Sequence, residues 1–151
     1  MLYVFDLDGT LIESERAVRA AYMAAGVTMP ADAWGKPVGA WCTPAQHSEK
    51  QRVYREMLHL HATPGRAVPL WHSLPHASRC VATGASMSSA IAAMEFLGLD
   101  PHELAVFGAD HLAKVEFIRA QMSDTPVLYV DTDYTVAKKL WEQTRCAIVL
   151  P

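Results

Sequence analysis

Short apolar runs alternate along the chain with longer stretches in which apolar positions recur at helical spacing. Leu2 to Phe5 is one such run, rich enough in β-branched and aromatic residues to read as a buried strand. Further strands are predicted at Arg79–Ala82, Leu104–Phe107, Val127–Val130 and Ala147–Leu150. Between the first two, Ile12 to Ala25 reads as a helix, with alanines at 17, 20, 21 and 24 and a stop at Gly26. Pro30, Gly35, Pro37 and Gly39 break the next stretch into loop. Thr43-Pro44 has the form of an N-cap followed by proline at the first helical position. The helix it opens is expected to run to His61, with Val53, Met57 and Leu60 on one face, and to end at Pro64-Gly65. Shorter helical patterns cover Ala67–Leu74, Ser86–Leu97, Ala113–Met122 and Thr135–Thr144. Strands that alternate with helices predict an α/β fold: a parallel sheet with helices on both faces. The helical piece over 14–62 interrupts the first crossover and reads as a small cap over the sheet's carboxyl edge. The core is then 1–13 together with 63–151.

Composition narrows the class. A chain of 151 residues is expected to form one compact domain with at most a small insertion. Its 51% hydrophobic content supports a real core. A net charge of −3 gives no sign of a nucleic-acid surface, and no apolar run approaches the roughly 20 residues of a membrane span. The first strand begins at once, with no basic segment before it, so no signal peptide is expected. Cys42, Cys80 and Cys146 lack metal or redox spacing and are expected as free thiols in a reducing cytoplasm. The seven histidines are scattered and suggest no zinc site.

Candidate chemistry begins where the first strand ends. Asp6 and Asp8 are separated by one residue and followed by Gly9, which can take a sharp turn. Ligands of open α/β sheets bind at the strands' carboxyl ends. A carboxylate there is costly to bury without a cation or hydrogen-bond donors. Two crowded carboxylates with hard oxygen donors suit Mg²⁺. The stretch Asp6-Leu7-Asp8-Gly9-Thr10-Leu11 resembles the first motif of the haloacid dehalogenase superfamily in its phosphatase form. The resemblance extends over nearly the whole chain. It implies a Rossmann-like core with the first-motif strand at its centre and a small helical cap inserted after that motif.

The resemblance also implies roles. The first Asp of the motif, Asp6, is the nucleophile that forms an aspartyl-phosphate. Asp8 is the general acid and base; the dehalogenase branch lacks this second Asp, so its presence points to phosphoryl transfer. Thr10 is expected to brace the turn. Thr83-Gly84, after the second strand, matches the second motif, with the Thr83 hydroxyl and the Gly84 N–H on a phosphoryl oxygen and Gly9 also near substrate. Lys114 is the lysine expected to offset phosphate and carboxylate charge. The fourth motif falls on Asp131-Thr132-Asp133. The family pattern often has a further Asp four positions on, where this chain has Thr135, so either Asp131 or Asp133 is the ligand and Asp131 is nearer the strand end. The acidic Asp110 is set aside because Lys114 would then follow the fourth motif. The implied metal set is Asp6, the Asp8 backbone carbonyl and Asp131.

The expected activity is that of a Mg²⁺-dependent phosphoric monoester hydrolase acting on a small phosphorylated metabolite. A phosphomutase of the same fold is the enzymatic alternative, and a fold relative that binds without turnover is the non-enzymatic one. Arg16, Arg19, Lys36, Trp34 and Trp41 lie in the inserted segment as possible pocket residues.

Overall fold

The computed structural model describes residues 1–151. Five parallel strands form the central sheet. They are β1 (Leu2–Phe5), β4 (Arg79–Ala82), β5 (Leu104–Val106), β6 (Val127–Asp131) and β7 (Ala147–Val149), in the order β5-β4-β1-β6-β7. β1 is central, with Phe5 beside Val81 on one flank and Val130 on the other. The α/β architecture read from the sequence is therefore present, with its strand ends within one or two residues of the expected positions.

Strand periodicity divides the core into two layers. Phe5, Val81 and Val130 face one side, where they meet Trp71, Ala90, Ala93 and Met94. Their neighbours Val4, Ala82 and Tyr129 face the other side, against Val115, Ile118 and Leu140. The first layer is covered by α3 (Val68–Ser73) and α4 (Met87–Phe96), the second by α5 (His111–Met122) and α6 (Tyr134–Thr144). Trp71 anchors the first layer, with its ring edge-on to Phe5 at 5.1 Å between centroids.

Two expectations about the inserted segment are corrected. Ile12 does not begin a helix. Ile12–Glu13 is a two-residue strand, β2, paired antiparallel with β3 (Thr63–Pro64), and α1 covers only Glu15–Ala24. Fully burying the Ile12 side chain against the core outweighs the local helical pattern. In α2 (Pro44–His61) the buried stripe is Lys50, Tyr54 and Leu58, while Leu60 is 65% exposed. Val53 and Met57 are only half-buried. The start of α2 is as expected: Thr43 and Gln46 form a reciprocal capping box ahead of Pro44. α1 and α2 pack together, and α2 also lies against α4.

Gly65 does more than end a helix. Its N–H donates to Leu11 O at 2.8 Å, which brings the returning chain hard against the turn after β1. A Cβ here would lie 2.2 Å from Thr10 O and 2.8 Å from Leu11 C, both backbone atoms. Gly65→Ala is therefore expected to destabilise the protein by about 3 kcal/mol, the upper range for overpacking. Urea unfolding checks this; an unchanged midpoint would show that the crossing is loose.

Candidate active site

The turn after β1 is set by Gly9, at φ +83°. Its N–H donates to Ile12 O at 2.7 Å and its carbonyl accepts from the Thr132 hydroxyl at 2.6 Å. Gly9 thus shapes the turn, and its own N–H is engaged within it. The Asp6 N–H donates to Val130 O at 3.0 Å, which extends the sheet register one residue and sets Asp6 level with Asp131 on the neighbouring strand.

Lys114 and Tyr129 join these two acids. Asp110 caps α5 by accepting from the Ala113 N–H, which fixes the helix start and puts Lys114 in its first turn. The Lys114 ammonium is nearly buried and donates to Asp6 Oδ1 at 3.0 Å and to the Tyr129 hydroxyl at 3.3 Å. Tyr129 in turn donates to Asp131 Oδ2 at 2.9 Å. Asp131 Oδ1 accepts from the Thr10 hydroxyl at 3.2 Å and from the Asp133 N–H at 2.8 Å. The bracing role expected of Thr10 is thus directed at Asp131. Asp133, the alternative fourth-motif acid, caps α6 through the Thr135 and Val136 N–H groups instead.

Asp8 occupies a separate niche. Ser14 donates to its Oδ1 at 2.5 Å. Ser14 sits at the N-cap position of α1 yet makes no cap bond, because its hydroxyl is turned to Asp8. Thr83 stands at the carboxyl end of β4, fully buried, where its hydroxyl oxygen accepts from the Ala85 N–H at 3.1 Å and keeps its own proton to donate. The Gly84 N–H makes no hydrogen bond within the chain.

Burial governs the electrostatics. It raises the pKa of Asp6 above the usual carboxylate value, against the opposing Lys114 ammonium, and the Asp8 charge raises it further. Asp8 is also raised by burial, opposed by the Ser14 hydrogen bond and by Lys50 and Lys114. Asp131 is pushed up to about 6 by burial and then by Asp6, against the Asp133 N–H and the Tyr129 hydroxyl. Three crowded acids, Asp131 buried and Asp6 and Asp8 partly so, with a single directly bonded ammonium are short of positive charge. No three His, Cys, Asp or Glu side chains converge to form a metal cage. One or two carboxylates completed by substrate oxygens are what Mg²⁺ commonly uses, so this donor set fits that ion and not an all-protein site.

Sequence reasoning did not single out Tyr129, Ser14, Lys50 or Tyr54. Tyr129 lies two residues before Asp131 on the same strand face, a period-two signal that could have revealed it. The Arg19 guanidinium is taken up by Glu15 and by the carbonyls of Met29, Pro30 and Ala31, so it clamps the loop after α1. Trp41 packs edge-on against Tyr22 at 4.9 Å.

A raised carboxylate pKa means that the folded state binds more protons than the unfolded chain between about pH 4 and pH 6. Its contribution to stability is therefore lost as pH rises through that window. In chelator, Asp131→Asn is expected to gain about 2 kcal/mol relative to wild type on going from pH 4.5 to pH 7.5. Denaturant titrations at the two pH values measure it; a difference independent of pH would contradict the charge deficit.

No family model and no curated protein matches this sequence. Solved structures do. A haloacid dehalogenase-like family hydrolase from Streptococcus pneumoniae shares 16% identity at a TM-score of 0.63, over 99% of this chain and 84% of that one. A hydrolase from Pseudomonas syringae shares 17% identity at 0.65, over 98% and 82%. CbbY from Rhodobacter sphaeroides shares 17% identity at 0.67, over 99% and 85%; it was solved in complex with phosphate, and a mutant of it with xylulose-(1,5)bisphosphate. These likenesses establish that the chain has the fold of the haloacid dehalogenase-like hydrolases and phosphatases.

Proposed function

We propose that this protein is a Mg²⁺-dependent phosphatase that hydrolyses a small phosphorylated metabolite through an aspartyl-phosphate on Asp6. The observation that carries the reading is the Lys114–Asp6 ion pair at 3.0 Å, set beside Asp131 through Tyr129. A reactive carboxylate is thereby held in a fixed orientation next to a site that lacks positive charge.

In this reading Asp6, the Asp8 backbone carbonyl and Asp131 hold the metal. When bound, Mg²⁺ supplies charge neutralisation that lets an anionic phosphate approach a carboxylate. Asp6 attacks phosphorus as the bond to the leaving oxygen breaks. The raised pKa of Asp8 favours its protonated form, so it delivers that proton to the departing alkoxide. The resulting carboxylate then takes a proton from the water that hydrolyses the aspartyl-phosphate, which regenerates both acids. The Thr83 hydroxyl and the Gly84 N–H bind phosphoryl oxygens. The Lys114 ammonium opposes protonation of Asp6 and orients it. The inserted α1–α2 segment acts as the cap, and its contact with α4 encloses the reaction.

The reading is tested by turnover of p-nitrophenyl phosphate with Mg²⁺. Asp6→Asn is expected to lower kcat by at least about 10³-fold and Asp8→Asn by about 10²- to 10⁴-fold, the usual range for a lost proton-transfer group. Equal rates for wild type and Asp6→Asn would overturn it. Release of one inorganic phosphate per substrate consumed separates hydrolysis from a mutase, which would return the phosphoryl group to the substrate.

A further inference from the structure

The sheet ends on one side at β7, whose outer edge pairs with no strand. The register shows which backbone groups are left over. Tyr129 donates its N–H to Cys146 O, and Leu150 donates its own to Asp131 O. Residues 146, 148 and 150 therefore turn their polar backbone toward β6. The N–H and C=O groups of Ala147 and Val149 point outward, away from the sheet. Edge strands are commonly blunted by a charged side chain, a proline or a bulge. The three residues of β7, Ala-Ile-Val, supply none of these, and Val149 is 40% exposed.

Beside this edge an open, mostly apolar groove of about 280 Å³ runs between β7 and α6. Ala147 and Val149 form one wall, Tyr134 and Trp141 the other, and the buried Ala137 also lines it. Tyr134 is 66% exposed and Trp141 45%, although rings of this size are mostly buried in folded proteins. The Trp141 indole is held in place. Arg145 takes the left-handed conformation, at φ +59°, as the chain leaves α6, and its guanidinium stacks 4.2 Å from the indole centroid. Lys138 and Glu142 complete the lining, one helical turn apart. Neither forms an ion pair with the other or with any other side chain. Lysine ahead of glutamate at this spacing is the weaker order for a pair within one helix.

A second copy of the same surface matches all of these features. A two-fold axis through Ile148, normal to the sheet, sets β7 antiparallel to its copy. Ala147 then faces Val149 of the other chain, and their outward backbone groups exchange hydrogen bonds. The same axis lays the two α6 helices antiparallel on one face of the joined sheet. With a rise of about 1.5 Å per helical residue and about 3.3 Å per strand residue, the α6 residue level with Ile148 falls near position 140. Lys138 and Glu142 stand two residues on either side of that point. Each lysine therefore meets the glutamate of the other copy, and Trp141 faces the small Ala137. Opposite charges placed evenly about the axis select a second copy over an unrelated strand.

We propose that β7 and α6 form the interface of a symmetric homodimer, in which two sheets join edge to edge into one. Sedimentation equilibrium on the full chain, over a concentration series, tests it. Wild type is expected as a dimer that dissociates to monomer on dilution. Lys138→Glu sets acid against acid at two symmetric positions and is expected to raise the dissociation constant about tenfold or more. Glu142→Lys is expected to do the same with the opposite sign. Combining the two reverses the pair and is expected to bring association back to within about threefold of wild type, which a folding defect would not allow. Hydrogen exchange gives a second readout. The Ala147 and Val149 amides are expected to be protected in the wild-type dimer and to exchange freely in Lys138→Glu, while Ile148, bonded within the sheet, stays protected in both. A wild type that is monomeric at every concentration would overturn the proposal. So would a dimer unmoved by both single substitutions, a double variant no better than the single ones, or free exchange at Ala147 and Val149 in the dimer.

Discussion

The structure depends on keeping several buried carboxylates in one place. Asp6 and Asp131 end adjacent parallel strands, and both are pushed toward their neutral forms by burial. A protein that needed only a stable sheet would place apolar residues there. This chain instead surrounds the acids with donors: Lys114 for Asp6, and Tyr129, Thr10 and the Asp133 N–H for Asp131. Those donors come from the turn after β1, from α5 and from the residues on either side of Asp131, so the arrangement exists only when β1, β6 and α5 have come together. Buried polar networks of this kind stabilise only when completed. A bound divalent cation would complete this one.

The inserted helices tie the same centre from the other side. Ser14 gives up a helix-capping bond to hold Asp8, and the Lys50 charge on α2 favours the ionised form of the same acid. The crossing of Gly65 against Thr10 and Leu11 closes the chain back onto the turn after β1. One short stretch, residues 6–14, therefore receives the sheet, the return from the insertion and the insertion itself. Phosphoryl chemistry relies largely on positioning and electrostatic stabilisation, which such convergence supplies.

Much of this was legible in the sequence. The strands were visible because short apolar runs ended at acids or glycine, and the sheet followed from their alternation with helices. Asp6, Asp8, Thr83, Lys114 and Asp131 stood out through order and spacing; four of them lie at or just beyond strand ends and Lys114 in the first turn of α5. What sequence could not show were contacts made across the chain. Ile12 read as helix because its pairing partner, Pro64, lies 52 positions away. Lys50 drew no notice in the sequence because its burial depends on Tyr22 and on the contact with α4. Tyr129 read as a strand aromatic, and its hydroxyl acquires meaning only beside Lys114.

The central claim is that Asp6 and Asp131 are spaced to share one divalent cation beside Lys114. A crystal structure of the protein soaked with Mn²⁺, with anomalous scattering recorded at the manganese edge, addresses it most directly. The account expects a single strong peak within bonding distance of both carboxylates and of the Asp8 carbonyl. Full manganese in the crystal with no peak between Asp6 and Asp131, or with a peak elsewhere on the molecule, would contradict it.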